Sequence, residues 1–315
     1  MMNFIGALPG AISQGLIWGI MAIGVYITYK ILDVADLTVD GSFCTGGAVF
    51  VVLFGDGVNI WLALLAALLA GMLTGLATGL LHTVCGIPAI LAGILTQLGL
   101  WSINLAIMGM TSNVAINLLD QTNMEKLLVC ARFLRNYAFY RHPIFVVGLF
   151  SVAVIAVLYW FFGTELGASL RATGTNQHMA RAQGINTQFN KVLGLTLSNG
   201  LVALSGALLS QYQGFADASM GKGAIVIGLA AVIIGEVLFS RIFQNFALKL
   251  LSVSLGGVVY YMVIQAVVSL SDINANYLKL ISACIVAVFL TAPYWKDKYF
   301  SKTVKPTKKE GAGHA

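Results

Sequence analysis

Two short polar stretches stand out in a chain that is otherwise rich in hydrocarbon. Residues 36–43 read D-L-T-V-D-G-S-F and set Asp36 and Asp40 four residues apart, with Thr38 and Ser42 beside them. Residues 171–186 read R-A-T-G-T-N-Q-H-M-A-R-A-Q-G-I-N and gather Arg171, His178 and Arg181. Neither has the spacing of a bond-making site. There is no G-x-x-x-x-G-K-[ST] phosphate loop, and Gly221-Lys222-Gly223 does not fit one; H-E-x-x-H and G-x-S-x-G are also missing. His82, His142, His178 and His314 are scattered, and Cys44, Cys85, Cys130 and Cys284 lie far apart without metal-ligand spacing, so the cysteines read as packing residues and no metal site is expected. What remains is non-covalent chemistry: hydrogen-bonding a passing solute and docking a partner.

The second stretch has helix punctuation. Thr164 can cap a short helix ending at Gly174, and Asn176 a second one of about two turns that stops at Gly184, where glycine suits the left-handed residue after a helix. The spacing predicts a stiff knob with Met179 and Ala182 on one face and His178 and Arg181 on another, an apolar contact beside positive charge. Multi-spanning proteins also keep Arg and Lys in short cytoplasmic loops, so charge alone leaves docking and topology both open.

For the first stretch, a carboxylate at mid-bilayer costs about 2.5 to 3.5 kcal/mol on insertion scales. Asp36 and Asp40 must therefore face water, a partner or an interface, unless they cap the next helix in an ordinary loop. The glycines that follow predict a broken or re-entrant helix lining a path. Gln97 and Asn104, seven apart, share a helix face where they either meet a solute or tie helices together, with the tie favoured. The run Ala35-Asp36-Leu37-Thr38-Val39 has a loose echo in Ala216-Asp217-Ala218-Ser219-Met220, which adds Asp217 and Ser219 to the candidate path and suggests an inverted repeat. Glu236 sits within apolar sequence, four residues from Ser240 and five from Arg241, where an interfacial ion pair is expected.

The elements that must position these residues are membrane helices. Of 315 residues 58% are hydrophobic and 10% charged, and the mean hydropathy is +0.87; soluble domains carry about 25% charged residues. A span needs about 20 apolar residues, which leaves material for about eight to ten spans. The expected fold is all-α and integral to the membrane, with a single transmembrane domain over 1–295 that contains the knob within 164–190. The N-terminal residues lack a charged leader region and read as entry to a retained span. Residues 111–142 alternate Arg132, Arg135 and Arg141 with Phe133, Tyr137, Phe139 and Tyr140, as an interfacial amphipathic helix would. Residues 296–315 hold six lysines and read as a cytoplasmic tail; counting four spans back from it puts the knob in the cytoplasm too. The net charge of +6 is not gathered into a basic face, so nucleic acid is not an expected partner, whereas membrane lipid is.

The pattern R-A-x-G-x-N followed by A-x-x-x-G-I, formed by Arg171, Ala172, Gly174, Asn176, Ala180, Gly184 and Ile185, resembles the coupling segment of ABC-importer permeases of the branched-chain amino acid and ribose type. It lacks the E-A-A start of the maltose-type importers. D-L-T-V-D-G-S-F is similar to the motif after the first span in tryptophan- or tyrosine-uptake permeases, and F-A-D-A-S-M-G-K-G and I-I-G-E-V-L-F have similar counterparts. The resemblance implies a non-enzymatic permease subunit, homodimeric, in a bacterial inner membrane. It also implies a separate ABC ATPase that uses ATP and Mg, and an extracytoplasmic solute-binding protein. An aromatic or branched-chain amino acid is the first substrate expected; a sugar or nucleoside permease, or an ion-coupled carrier, is the alternative.

Overall fold

A long apolar run in hydrocarbon can satisfy its backbone only within itself, and helices are the result. The computed structural model describes residues 2–116, 126–131, 142–239, 243, 245–270 and 278–295. Helix α1 (Met2–Tyr26) continues into a π-helical turn (Ile27–Ile31), and after a non-helical break come α2 (Val39–Gly55), α3 (Ile60–Thr83) and α4 (Ala89–Ile107). A short strand β1 (Asn113–Ala115) precedes α5 (Pro143–Gly163), and the two small helices α6 (Glu165–Thr175) and α7 (Gln177–Ala182) form the knob. Then follow α8 (Thr187–Gln213), β2 (Phe215–Asp217), α9 (Ala224–Phe239), α10 (Phe246–Leu270) and α11 (Leu278–Trp295).

Among the described residues six helices are long and apolar enough to span a membrane, and three apolar stretches of 10–17 residues lie in α2, α9 and α11. The all-α membrane fold expected from composition is therefore present. Helices α1 and α8 form its centre: 78% and 72% of their most apolar stretches are buried, against 22% in α4 and α5. Leu91, Leu95 and Leu98 on α4 and Leu149, Val152 and Val157 on α5 are exposed in the single chain, as suits a surface meeting lipid. Cys44 and Cys130 are buried packing residues, but Cys85 and Cys284 are exposed, so burial holds for only two of the four.

The two halves are arranged as upside-down copies. Helix α1 runs toward the knob end and α8 away from it; each is followed by a break and then by a short helix, α2 or α9, that starts inside the molecule and heads back. Helix α10 packs along α1 as α3 packs along α8, and the short helix of each half wedges between its neighbours. At the far end β1 pairs antiparallel with β2, Asn113 opposite Asp217. The cationic and aromatic residues Arg132 to Arg141 and the tail from Lys296 lie outside the described residues.

Close approach carries the α3–α8 seam. A Cβ on Gly75 would stand 2.8 Å from the carbonyl carbon of Leu195 and 2.9 Å from Asn199 Cβ. Gly75→Val should therefore destabilise the protein by about 1–3 kcal/mol, the usual cost of overpacking. Thermal unfolding in detergent checks this: the midpoint should fall for Gly75→Val and hold for Gly99→Val, whose Cβ meets nothing within 4 Å.

Candidate functional site

The first polar stretch folds into the break after the π-helical turn. Leu32 N–H donates to Ile27 O and Val34 N–H to Thr28 O, which closes the turn before the chain leaves the helix. Asp36 then lies buried, neither facing water nor capping α2 directly. Its Oδ1 accepts the Thr38 N–H at 2.9 Å and its Oδ2 the Asn199 amide at 2.7 Å. Asn199 is close to the middle of the 27-residue α8, so this carboxylate sits at mid-depth. Around it the hydroxyls of Thr38 and Thr78 are 2.7 Å apart and those of Ser42 and Thr74 2.9 Å apart, while Thr78 donates to Thr96. Ser42 also donates to Asn199 Oδ1. A carboxyl group this deep is tolerable because every polar neighbour is partnered.

Asp40 does something the sequence does not announce. Its Oδ2 accepts the Gly223 N–H and its Oδ1 the Ile225 N–H, both at 2.9 Å. A residue in the first turn of α2 thus caps the start of α9, in the opposite half. Gly221 is needed here because a Cβ would overlap the Asp40 carbonyl oxygen.

Beside this junction is a cavity of about 320 Å³ lined by Asp40, Cys44, Gln97, Trp101, Asn104 and Lys222, among others. Of the expected path residues, Asp40, Gln97 and Asn104 meet here. Asn104 is also a tie: it accepts from Thr45 Oγ1 at 2.8 Å and reaches Gly41 O at 3.4 Å. Gln97 makes no hydrogen bond with another described residue. Asp36, Thr38 and Ser42 are sealed in the adjoining cluster. Asp217 and Ser219 belong to a turn on the far side, where the Ser219 hydroxyl and N–H donate to Asp217 Oδ1 and the Cys44 thiol donates to Asp217 O and Ala218 O. Partial burial works to raise the Asp217 carboxyl, but the Ser219 donors, Asn113 and the Lys222 charge outweigh it and hold it below its ordinary value.

The knob is built as its caps foretell, with one difference. Thr164 Oγ1 accepts the Gly167 N–H, Asn176 Oδ1 accepts the N–H groups of His178 and Met179, and Gly184 is left-handed at φ +81°. Helix α6, however, runs to Thr175 rather than ending at Gly174. Gly174 lies against the π-helical turn, where a Cβ would overlap the Ile31 carbonyl oxygen, so the glycine is required by close approach and not by termination. His178, Met179 and Arg181 are exposed, Ile185 is half-buried and Ala180 fully buried. Arg181 Nε donates to Thr187 Oγ1 at 2.8 Å, and Arg171 turns back to donate to Phe162 O at 3.1 Å.

Sequence reading missed Asn199, Thr74, Thr78, Trp101 and Lys222. The four-residue spacing of Gly71, Gly75 and Gly79 with Thr74 and Thr78 marks one small, polar face on α3 and is the signal that points there. Glu236 does form an ion pair, but with Lys30 at 3.2 Å; Ser240 and Arg241 lie outside the described residues.

Compared with known proteins, residues 8–290 match the family described as "Branched-chain amino acid transport system / permease component". A Clostridioides difficile (strain R20291) protein called "Tyrosine transport system permease protein" is 37% identical over 278 residues, 88% of each chain. An uncharacterized protein of Rickettsia prowazekii (strain Madrid E) is 32% identical over 292 residues, 91% of this chain and 98% of that one. In the solved structure of PsaBC from Streptococcus pneumoniae in complex with Fab, one chain superposes with a TM-score of 0.51 at 14% identity, covering 93% of this chain and 94% of that one. At that identity the likeness speaks for the fold alone.

Asn199→Ala should cost about 1–3 kcal/mol, because it leaves a buried carboxyl oxygen without its donor, and a lower unfolding midpoint in detergent checks it. Asp217, depressed in the folded state, stabilises its turn above the ordinary carboxylate range and loses that contribution as pH falls through its lowered value. The protection factor of the Ser219 amide, its exchange rate set against the intrinsic rate at each pH, should accordingly be high at neutral pH and fall only in acid.

Proposed function

The chain belongs to the branched-chain amino acid transport system permease family, and from that premise we propose that it is the membrane subunit of an ATP-driven importer for an amino acid, aromatic before branched-chain. The tyrosine transport permease at 37% identity supports the substrate order. The observation that carries the importer reading is the knob. It presents Met179, His178 and Arg181 on a short helix capped at both ends, and its root is wedged by Gly174 against Ile31, five residues before Asp36. A docking surface that must transmit a push needs this stiffness.

In this reading a separate ATPase binds the knob from the cytoplasm and uses ATP and Mg, since the sequence offers no phosphate loop. A solute-binding protein delivers substrate to the opposite face, and a second copy of the chain completes a homodimer in the bacterial inner membrane. Closure of the ATPases drives α6 against the π-helical turn. The movement reaches the break at residues 32–38 and shifts α2 relative to α9, so the two halves rock between access to one side and to the other.

The test is recovery of the tagged protein from its native membranes in mild detergent. The wild-type chain should bring down a nucleotide-binding ATPase in near-equal amount, while Arg181→Glu and Met179→Asp should lose it without a change in insertion or unfolding midpoint. Met179→Asp controls for the loss of the Arg181–Thr187 bond. ATPase recovery undiminished in both variants, or absent from the wild type after gentle cross-linking, sinks the reading.

A further inference from the structure

The cavity beside Asp40 has a chemistry that a mere passage would not need. Lys222 Nζ stands over the face of the Trp101 indole, 4.4 Å from the ring centroid. Lys222 is exposed; the Asp217 carboxylate acts on it through space, but no described carboxylate lies within ion-pair distance of it. Its side chain is flexible but its root is not: its N–H donates to Ser219 O at 3.1 Å, and Gly221 is packed against Asp40. Gln97, half-buried, lines the same cavity, and its amide has no hydrogen-bond partner among the described residues. The volume of about 320 Å³ lies within the range of small-molecule sites.

We infer that this cavity is a subsite of the permease for an aromatic α-amino acid, whose carboxylate is held by Lys222 and whose ring is held on Trp101. The assignment rests on the amino-acid reading above and adds to it a site and a discrimination. An ammonium over a ring face gains less than one hydrogen-bonded to a carboxylate. Lys222 therefore yields the indole face when a carboxylate arrives, and that face becomes available to the incoming ring. Asp40 spends one acceptor site of each oxygen on α9 and keeps others for the ammonium group. Gln97 can donate or accept, as the ligand requires. A neutral sugar brings no carboxylate for Lys222 to bind, and an amine without a carboxylate brings only the group that Asp40 takes and adds a second cation beside Lys222.

The experiment uses the purified full chain carrying Gln97→Cys, with the exposed Cys85 and Cys284 changed to Ser, and follows its reaction with a methanethiosulfonate reagent against the same chain retaining Gln97. L-Tyrosine should slow labelling, whereas tyramine, which lacks the carboxylate, and L-alanine, which lacks the ring, should not. Lys222→Gln should raise the protecting concentration of L-tyrosine about tenfold, as expected for one lost charge-assisted hydrogen bond. Trp101→Leu should abolish protection and Trp101→Phe retain it, which separates ring contact from misfolding. Absence of protection by L-tyrosine, equal protection by tyramine, or indifference to Lys222→Gln would overturn the inference. Neither ATPase nor solute-binding protein is in the assay, so a failure of docking at the knob leaves this readout intact, and the reverse holds too.

Discussion

The arrangement depends on one carboxylate. Asp40 belongs to the first turn of α2 and caps the first turn of α9, so the starts of two short helices from opposite halves are joined through a single side chain. Helix N-termini carry partial positive charge and unpaired N–H groups. Bringing two of them together inside a bilayer would be unfavourable without an anion between them, and Asp40 supplies it. Asp40 ties the two starts together in the interior, and the cavity lies beside them.

Asp36 extends the same logic sideways. Its carboxylate is held by Thr38 and Asn199, and the surrounding threonine and serine hydroxyls link the break to α3, α4 and α8. Small residues along the α3–α8 seam let the backbones approach until these short side chains can meet. In hydrocarbon there is little hydrophobic drive between helices, so close packing and shared hydrogen bonds hold the centre. The break is thus stiff where it touches α8 and narrow where it meets the knob, which suits it to pass on a displacement.

What could be read from the chain alone was local. The caps at Thr164, Asn176 and Gly184 are codes of a few residues, and they delimit the knob to within one residue. Apolar runs mark the long helices, and the weak echo around Asp36 and Asp217 marks the two breaks of an inverted pair. The partners of the charged groups were not legible: Asp40 meets residues 183 and 185 positions away, and Glu236 meets Lys30 across 206. Sequence spacing pairs a residue only with its own turn, and so Asp40 reads as a cap for the wrong helix and Glu236 as a neighbour of Arg241. Gly174 has the same lesson in miniature, since a glycine needed to touch another segment looks like one needed to stop a helix.

The knob has a consequence for direction. Two halves that are upside-down copies are, as a pair, indifferent to which face of the membrane is which; turning the pair over exchanges one half for the other. Helices α6 and α7 sit at one end only, inserted between the halves. They break that equivalence. A partner docked on them, as proposed above, would act from a single side, and the direction of its action would then be set by a segment of about twenty residues rather than by the opposed halves around it.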